Sequence, residues 1–114
     1  VHMPIDHTNP FAAHILGERA MNYPTVNKAA LDVLLERQRQ VEQEGWTPEH
    51  DDSHANGALA IAAAHYAVEH TDARVNDPHD VSGWIKPTTE RRNLVKAGAL
   101  ILAEIERLDR AEGR

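Results

Sequence analysis

The chain has 114 residues, of which 41% are hydrophobic and 26% charged, and it contains no cysteine. That composition fits one soluble globular domain and excludes disulfides and thiolate metal sites. Eighteen Asp and Glu outweigh twelve Lys and Arg, for a formal net charge of -6, and aromatics are 4%. Neither a general attraction to nucleic-acid backbones nor a base-stacking platform is therefore expected. No apolar run approaches the roughly 18 residues that span a bilayer, and nothing reads as a secretion signal, so a cytoplasmic protein without membrane contact is expected.

Val1-His2-Met3 reads as a cloning remnant ahead of a start at Met3. Residues 4–25 form an N-terminal arm with a short helix over 10–20. Asn9 suits its N-cap, Pro10 its first position, and Phe11 and Ile15 share a face. A bundle domain is expected over 26–114. Its first helix, 26–44, is capped by Thr25 and ended by Gly45 in a left-handed turn. Val26, Ala30, Val33, Leu34 and Val41 make its apolar stripe, yet at 100° per residue Arg37 falls inside that stripe, with Gln40 and Glu44 at its edge.

The next helix, 53–70, follows the turn "GWTPEHDD" and is Ala-rich all round. Leu59, Ala63 and Tyr66 face one way, Ile61, Ala64 and Val68 the other, as suits a helix with neighbours on two sides. A segment of 19 residues, "TDARVNDPHDVSGWIKPTT", has no helical periodicity and reads as a long loop anchored by Trp84. "DVSGWI" is its one strand candidate. The last helix, 90–110, starts after Thr89 as N-cap. Its expected core stripe is Leu94, Gly98, Ile101, Ile105 and Leu108, with Ala99, Leu100 and Ala103 opposite, flanked by Lys96 and Arg107. Glu106 and Arg110 are spaced for an i,i+4 pair. The second apolar face calls for a partner, either the N-terminal helix or another subunit. The predicted fold is all-α: a small bundle of three main helices, a short N-terminal helix and a long loop before the last helix.

The segment "GWTPEHDDSH" gathers Glu49, His50, Asp51, Asp52 and His54 at a helix start. Asp51, Asp52 or Ser53 can cap that helix. Alternatively, Glu49, His50, Asp51, Asp52 and His54 can serve as oxygen and imidazole ligands for a divalent metal. Two spacings count against a metal. His54 and His65 lie about 16 Å apart along a helix, and Ala58 occupies the position one turn after His54 where a second ligand would belong. His50-Asp51 matches the start of an HD-type phosphohydrolase motif, with His14, Asp80 or Asp109 as nominal completions. Glu49/Asp52 and Glu106/Asp109 match the ExxD pairs of all-α nucleotide pyrophosphohydrolases. A second group, Arg37, Gln40 and Glu44 opposite Lys96 or Glu104, makes either an internal polar network or a pocket gripping a phosphate or carboxylate. The ligand-binding candidates are Arg37, Gln40, Glu44, Trp46, His54, His65, Trp84 and Lys96. His65 and Tyr66 otherwise read as core residues with satisfied polar tips.

Residues 36–67, "ERQRQVEQEGWTPEHDDSHANGALAIAAAHYA", and 91–111, "RRNLVKAGALILAEIERLDRA", resemble a family of small proteins encoded by tailed phages and prophages. Its members share an EGWTPEHDD-x-H turn, a Gly-x-Leu-Ala entry to an Ala-rich helix, a Trp-containing loop and a C-terminal ALILAEIERLDR-type helix. Members often carry Glu where this chain has Ala58, so an activity depending on that Glu would be lost here. The resemblance implies a setting in the infected bacterial host rather than a reaction. Three functions are expected as alternatives. The first is an accessory binding protein, self-associating, that engages a host or phage protein or a nucleotide-like ligand without turnover. The second is a metal-dependent hydrolase of nucleotides or related phosphates using residues 49–54. The third is a purely structural helical protein.

Overall fold

A computed structural model describes residues 26–113. The chain divides into two compact units, Val1–Leu31 and Asp32–Arg114. The second unit, with the first turn of the helix that crosses the boundary, carries every described element. These are α1 (Lys28–Gln43), α2 (Pro48–Asp52), α3 (Ala58–Val68), a single 3₁₀ turn (Val81–Trp84) and α4 (Glu90–Ala111). The fold is all-α, with α1, α3 and α4 as its main helices, and no strand occurs among the described residues. "DVSGWI", the strand candidate, holds the 3₁₀ turn instead. The predicted 10–20 helix, His14 and the Thr25 cap lie outside the described residues.

Local chemistry sets most boundaries. Asn27 Oδ1 accepts from the Ala30 amide at 2.9 Å and so starts α1. Gly45, at φ 77°, ends that helix, and the Trp46 amide turns back onto the Gln40 carbonyl at 3.0 Å. Thr47 then caps α2, accepting from the His50 amide, with Pro48 in the first helical turn. The expected 53–70 helix is shorter, and the turn before it holds a helix of its own: α2 stops at Asp52, and α3 runs only from Ala58, after Gly57 at φ 88°, to Val68. Just ahead of that start, Asn56 Oδ1 accepts from the Ala58 amide. Asp51, Asp52 and Ser53 therefore do not cap the long helix: they lie in or just after α2, which Thr47 caps, and the N-cap position of α3 is Gly57. Thr89 caps α4 as expected.

The core is an α3–α4 contact built from small side chains. Leu59, Ala62, Ala63 and Tyr66 of α3 meet Ala97, Leu100 and Ala103 of α4, with Val81 from the loop and Trp46, Ile61, Trp84 and Ile85 packed at the edge. Alanines on both helices allow a close approach. This choice of face overturns the predicted stripe on α4. Leu94, Ile101, Ile105 and Leu108 are exposed at 51, 50, 48 and 42%, while Ala99, Leu100 and Ala103, on the opposite side, are buried. Branched Ile side chains would hold α3 away, whereas the alanine face lets it dock.

Helix α1 is likewise turned. Glu36, Arg37 and Gln40 are its buried residues, and Leu34 and Leu35, the former from the predicted apolar stripe, are exposed. It meets α4 through long polar side chains, and closely at one point, where a Cβ on Gly98 would lie 3.1 Å from Val33 Cγ2.

Candidate functional site

The α1–α2 turn and the long loop converge on one corner. The left-handed Gly45 places Trp46 beneath α2, and α2 projects His50 over it, their rings stacked at 6.2 Å between centroids and 10° between planes. His54 lies one turn on, 4.5 Å from His50. Trp84 arrives from the loop and meets His54 edge-on at 4.9 Å, with His50 at 6.0 Å and Trp46 at 6.2 Å. All four rings are half-buried. Trp84 is the loop anchor that the sequence predicted.

The loop is pinned on both sides of that tryptophan. Asp77 accepts from the Val81 amide at 2.8 Å and the Ser82 amide at 3.1 Å. These bonds, the Val81 one foremost, hold its carboxyl below the ordinary range, with His65 adding to the effect. After Trp84, the Lys86 amide donates to the Tyr66 hydroxyl at 2.8 Å. Tyr66 is thus the satisfied core residue expected, and burial raises its phenol. His65 forms a separate group: its Nε2 is buried 3.5 Å from Asp77 Oδ2 without a hydrogen bond.

Behind the corner runs a buried ion pair. Arg37 Nη2 donates to Asp51 Oδ2 at 2.9 Å, its Nε to Glu106 at 3.2 Å and its Nη1 to the Trp46 carbonyl at 3.1 Å. The other oxygen of Asp51 lies 3.0 Å from His50 Nδ1. A carboxylate there favours a proton on Nδ1 and leaves Nε2 as the acceptor. The predicted partners of Arg37, Lys96 and Glu104, are engaged elsewhere: Lys96 Nζ donates to the Lys86 carbonyl and Glu104 accepts from Arg107. The expected Glu106–Arg110 pair is also replaced, because Glu106 serves Arg37 and Arg110 reaches Asp52 at 2.8 Å. Tertiary partners win over the helix neighbour because each bridges two elements.

Gln40, Glu44 and Lys96 belong to a second network, a row of alternating charge. Arg92 pairs with Glu36, Glu36 with Arg39, Arg39 with Glu44, and Glu44 with Lys86. Burial by itself would raise the Glu36 carboxyl, but its bonds to Arg39 and Arg92 outweigh that and hold it low. Lys86 does the same for Glu44. Burial, aided by Arg92, lowers Lys96, which sits 5.5 Å over the Tyr66 ring. Gln40 Nε2 donates to Glu36 at 3.3 Å, while its Oε1 is buried without a partner.

The candidates thus divide into Trp46, His54 and Trp84 with Arg37 behind them, a Gln40–Glu44–Lys96 network, and His65 apart with Asp77. Glu36, Lys86, Arg92 and Asp77 are residues that sequence reasoning missed. Of these only Glu36 left a signal, lying one helical turn before Gln40 on the same face. Glu49, His50, Asp51, Asp52 and His54 form no metal site: among the described residues no three or more His, Asp or Glu are arranged to hold a metal ion. Asp51 and Asp52 are turned to Arg37 and Arg110, and His54 Nδ1 to the His50 carbonyl at 2.8 Å. Among the described residues, two concavities lie along α3 and α4. No helix among the described residues is long and apolar enough to cross a membrane. No protein-family model, curated protein or solved structure matches the chain.

Proposed function

We propose that this chain is a phage- or prophage-encoded accessory protein that acts by binding, without turnover, and presents the Trp46–His50–His54–Trp84 corner to a host or phage protein in the infected cell. The observation that carries this reading is the gathering of both tryptophans of the chain and two imidazoles at one half-buried corner braced by Arg37 and Asp51. Tryptophan dominates the energetics of protein interfaces, and a rigid patch loses little side-chain entropy on binding. Against a hydrolytic role stands the use of the acidic groups: Asp51 and Asp52 are committed to arginines, so neither is poised to activate water. Ala58, where the phage proteins it resembles often carry Glu, points the same way.

The test has two arms on the purified full chain. Nucleoside mono-, di- and triphosphates with Mg²⁺ or Mn²⁺ are expected to remain unconverted. A host protein captured stoichiometrically is expected to be lost with His54→Ala and with Trp84→Ala, each checked for unchanged helical content. Turnover of any nucleotide, or capture that survives both substitutions, overturns the reading.

A further inference from the structure

The exposed face of α4 is a seam in its own right. Leu94, Gly98, Ile101, Ile105 and Leu108 follow one another at spacings of four, three, four and three, the repeat by which one helix packs along another. Gly98 leans toward Val33 of its own chain. The four large side chains stay about half exposed over about 21 Å of helix. Beside them α3 presents Ala60, Ala64 and Ala67, which with Ile101 and Ile105 form a shallow apolar trough whose one charged lining residue is Glu104.

We infer that this seam is where a second copy of the chain docks, α4 against α4 in antiparallel fashion about a two-fold axis near Ile101, so that α3 and α4 of both copies complete a four-helix bundle. Three observations favour a second copy over other occupants. The seam's 4-3 repeat is the pattern that its own partner must carry, and α4 carries it across 15 positions, from Leu94 to Leu108, as an isologous contact requires. The flanking charge does not oppose self-association, because Glu104 is already bonded by Arg107 within each copy at 2.5 Å. A basic partner helix would instead call for an unneutralised acidic rim. Finally, eight half-exposed Leu and Ile side chains with the alanines beside them bury on the order of 1,000 Å², the level at which specific association begins. The inference concerns a different face from the tryptophan corner and does not depend on it.

The chain has no cysteine, so Ile101→Cys introduces a single thiol close to the inferred axis. Sedimentation of the unmodified full chain is expected to give a dimer at tens of micromolar, in the range typical of such modest interfaces. Mild oxidation is expected to link Ile101→Cys into a covalent dimer far faster than Ser82→Cys, a control on the exposed 3₁₀ turn. A monomer at every concentration overturns the inference. A dimer in which Ile101→Cys links no faster than Ser82→Cys overturns it as well, because the contact then uses another face. Because Ile101 is half exposed, its replacement leaves the protomer core intact, and unchanged helical content of the variant checks this.

Discussion

Asp51 is bonded through both oxygens, to Arg37 on one side and His50 on the other, and it is fully buried. Its removal leaves the Arg37 guanidinium, nearly buried itself, with the Trp46 carbonyl and the half-exposed Glu106. Breaking one side of such a pair costs more than the pair contributes, because the remaining charge is desolvated without compensation. Asp51→Ala is therefore expected to lower stability by about 3 kcal/mol in urea unfolding. Arg37→Met combined with Asp51→Leu is expected to cost clearly less than Asp51→Ala by itself; equal or greater loss would refute the account. The inward lean of Arg37 was legible in the sequence, since its angle placed it among apolar residues. Its partner was not, because Asp51 lies across a turn whose path depends on Gly45 and Thr47.

At the scale of elements, the α3–α4 contact is close and apolar, whereas α1 stands off on long charged side chains. Gly98 marks a point where α1 comes close to α4. Alanine in place of a helical glycine gains about 1 kcal/mol from backbone entropy. Here the added Cβ would meet both Val33 γ-carbons at 3.1 and 3.2 Å, and a β-branched neighbour has little rotamer freedom to yield. Gly98→Ala is expected to be neutral or destabilising by about 1 kcal/mol in thermal unfolding, as overpacked sites are. In a Val33→Ala background the same change is expected to stabilise by about 1 kcal/mol. A gain of the same size in both backgrounds would show that Val33 is not the obstacle. The end of α1 and the start of α4 followed from caps and glycines, and the Leu59–Ala63–Tyr66 face of α3 is buried as its spacing predicts, whereas the buried face of α4 did not follow. The hydrophobic pattern of α4 offers two faces, one of branched and one of small side chains, and periodicity cannot rank them.

For the whole molecule, the Arg92–Glu36–Arg39–Glu44–Lys86 row ties α1 to the loop and to α4. Glu36 and Glu44 both have carboxyls held below the ordinary value of 4.5. A carboxylate depressed in the folded state adds stability that is fully present above its unfolded value and is lost as pH falls through the folded one. Stability is therefore expected to be flat from neutral pH to about 5 and to drop below about 4.5. Glu36→Gln is expected to make that drop shallower. An unchanged acid limb in chemical unfolding at several pH values would remove Glu36 from the explanation. The same acid limb is expected to loosen the loop that Asp77, also held low, pins through the Val81 and Ser82 amides.

Several properties came from local chemistry by itself. Helix propensity, capping residues and the left-handed glycines determine an all-α chain, the end of α1 at Gly45, the start of α4 at Thr89 and a loop anchored at Trp84. These depend on interactions within a few residues, which a linear string carries. Which faces pair, which charges meet and where the tryptophans and imidazoles converge were decided by tertiary structure. The reason is physical: small side chains pack more closely than branched ones, and a buried charge must find a partner wherever the chain supplies it. The branched face of α4 was thereby left outward, although its sequence pattern reads as core.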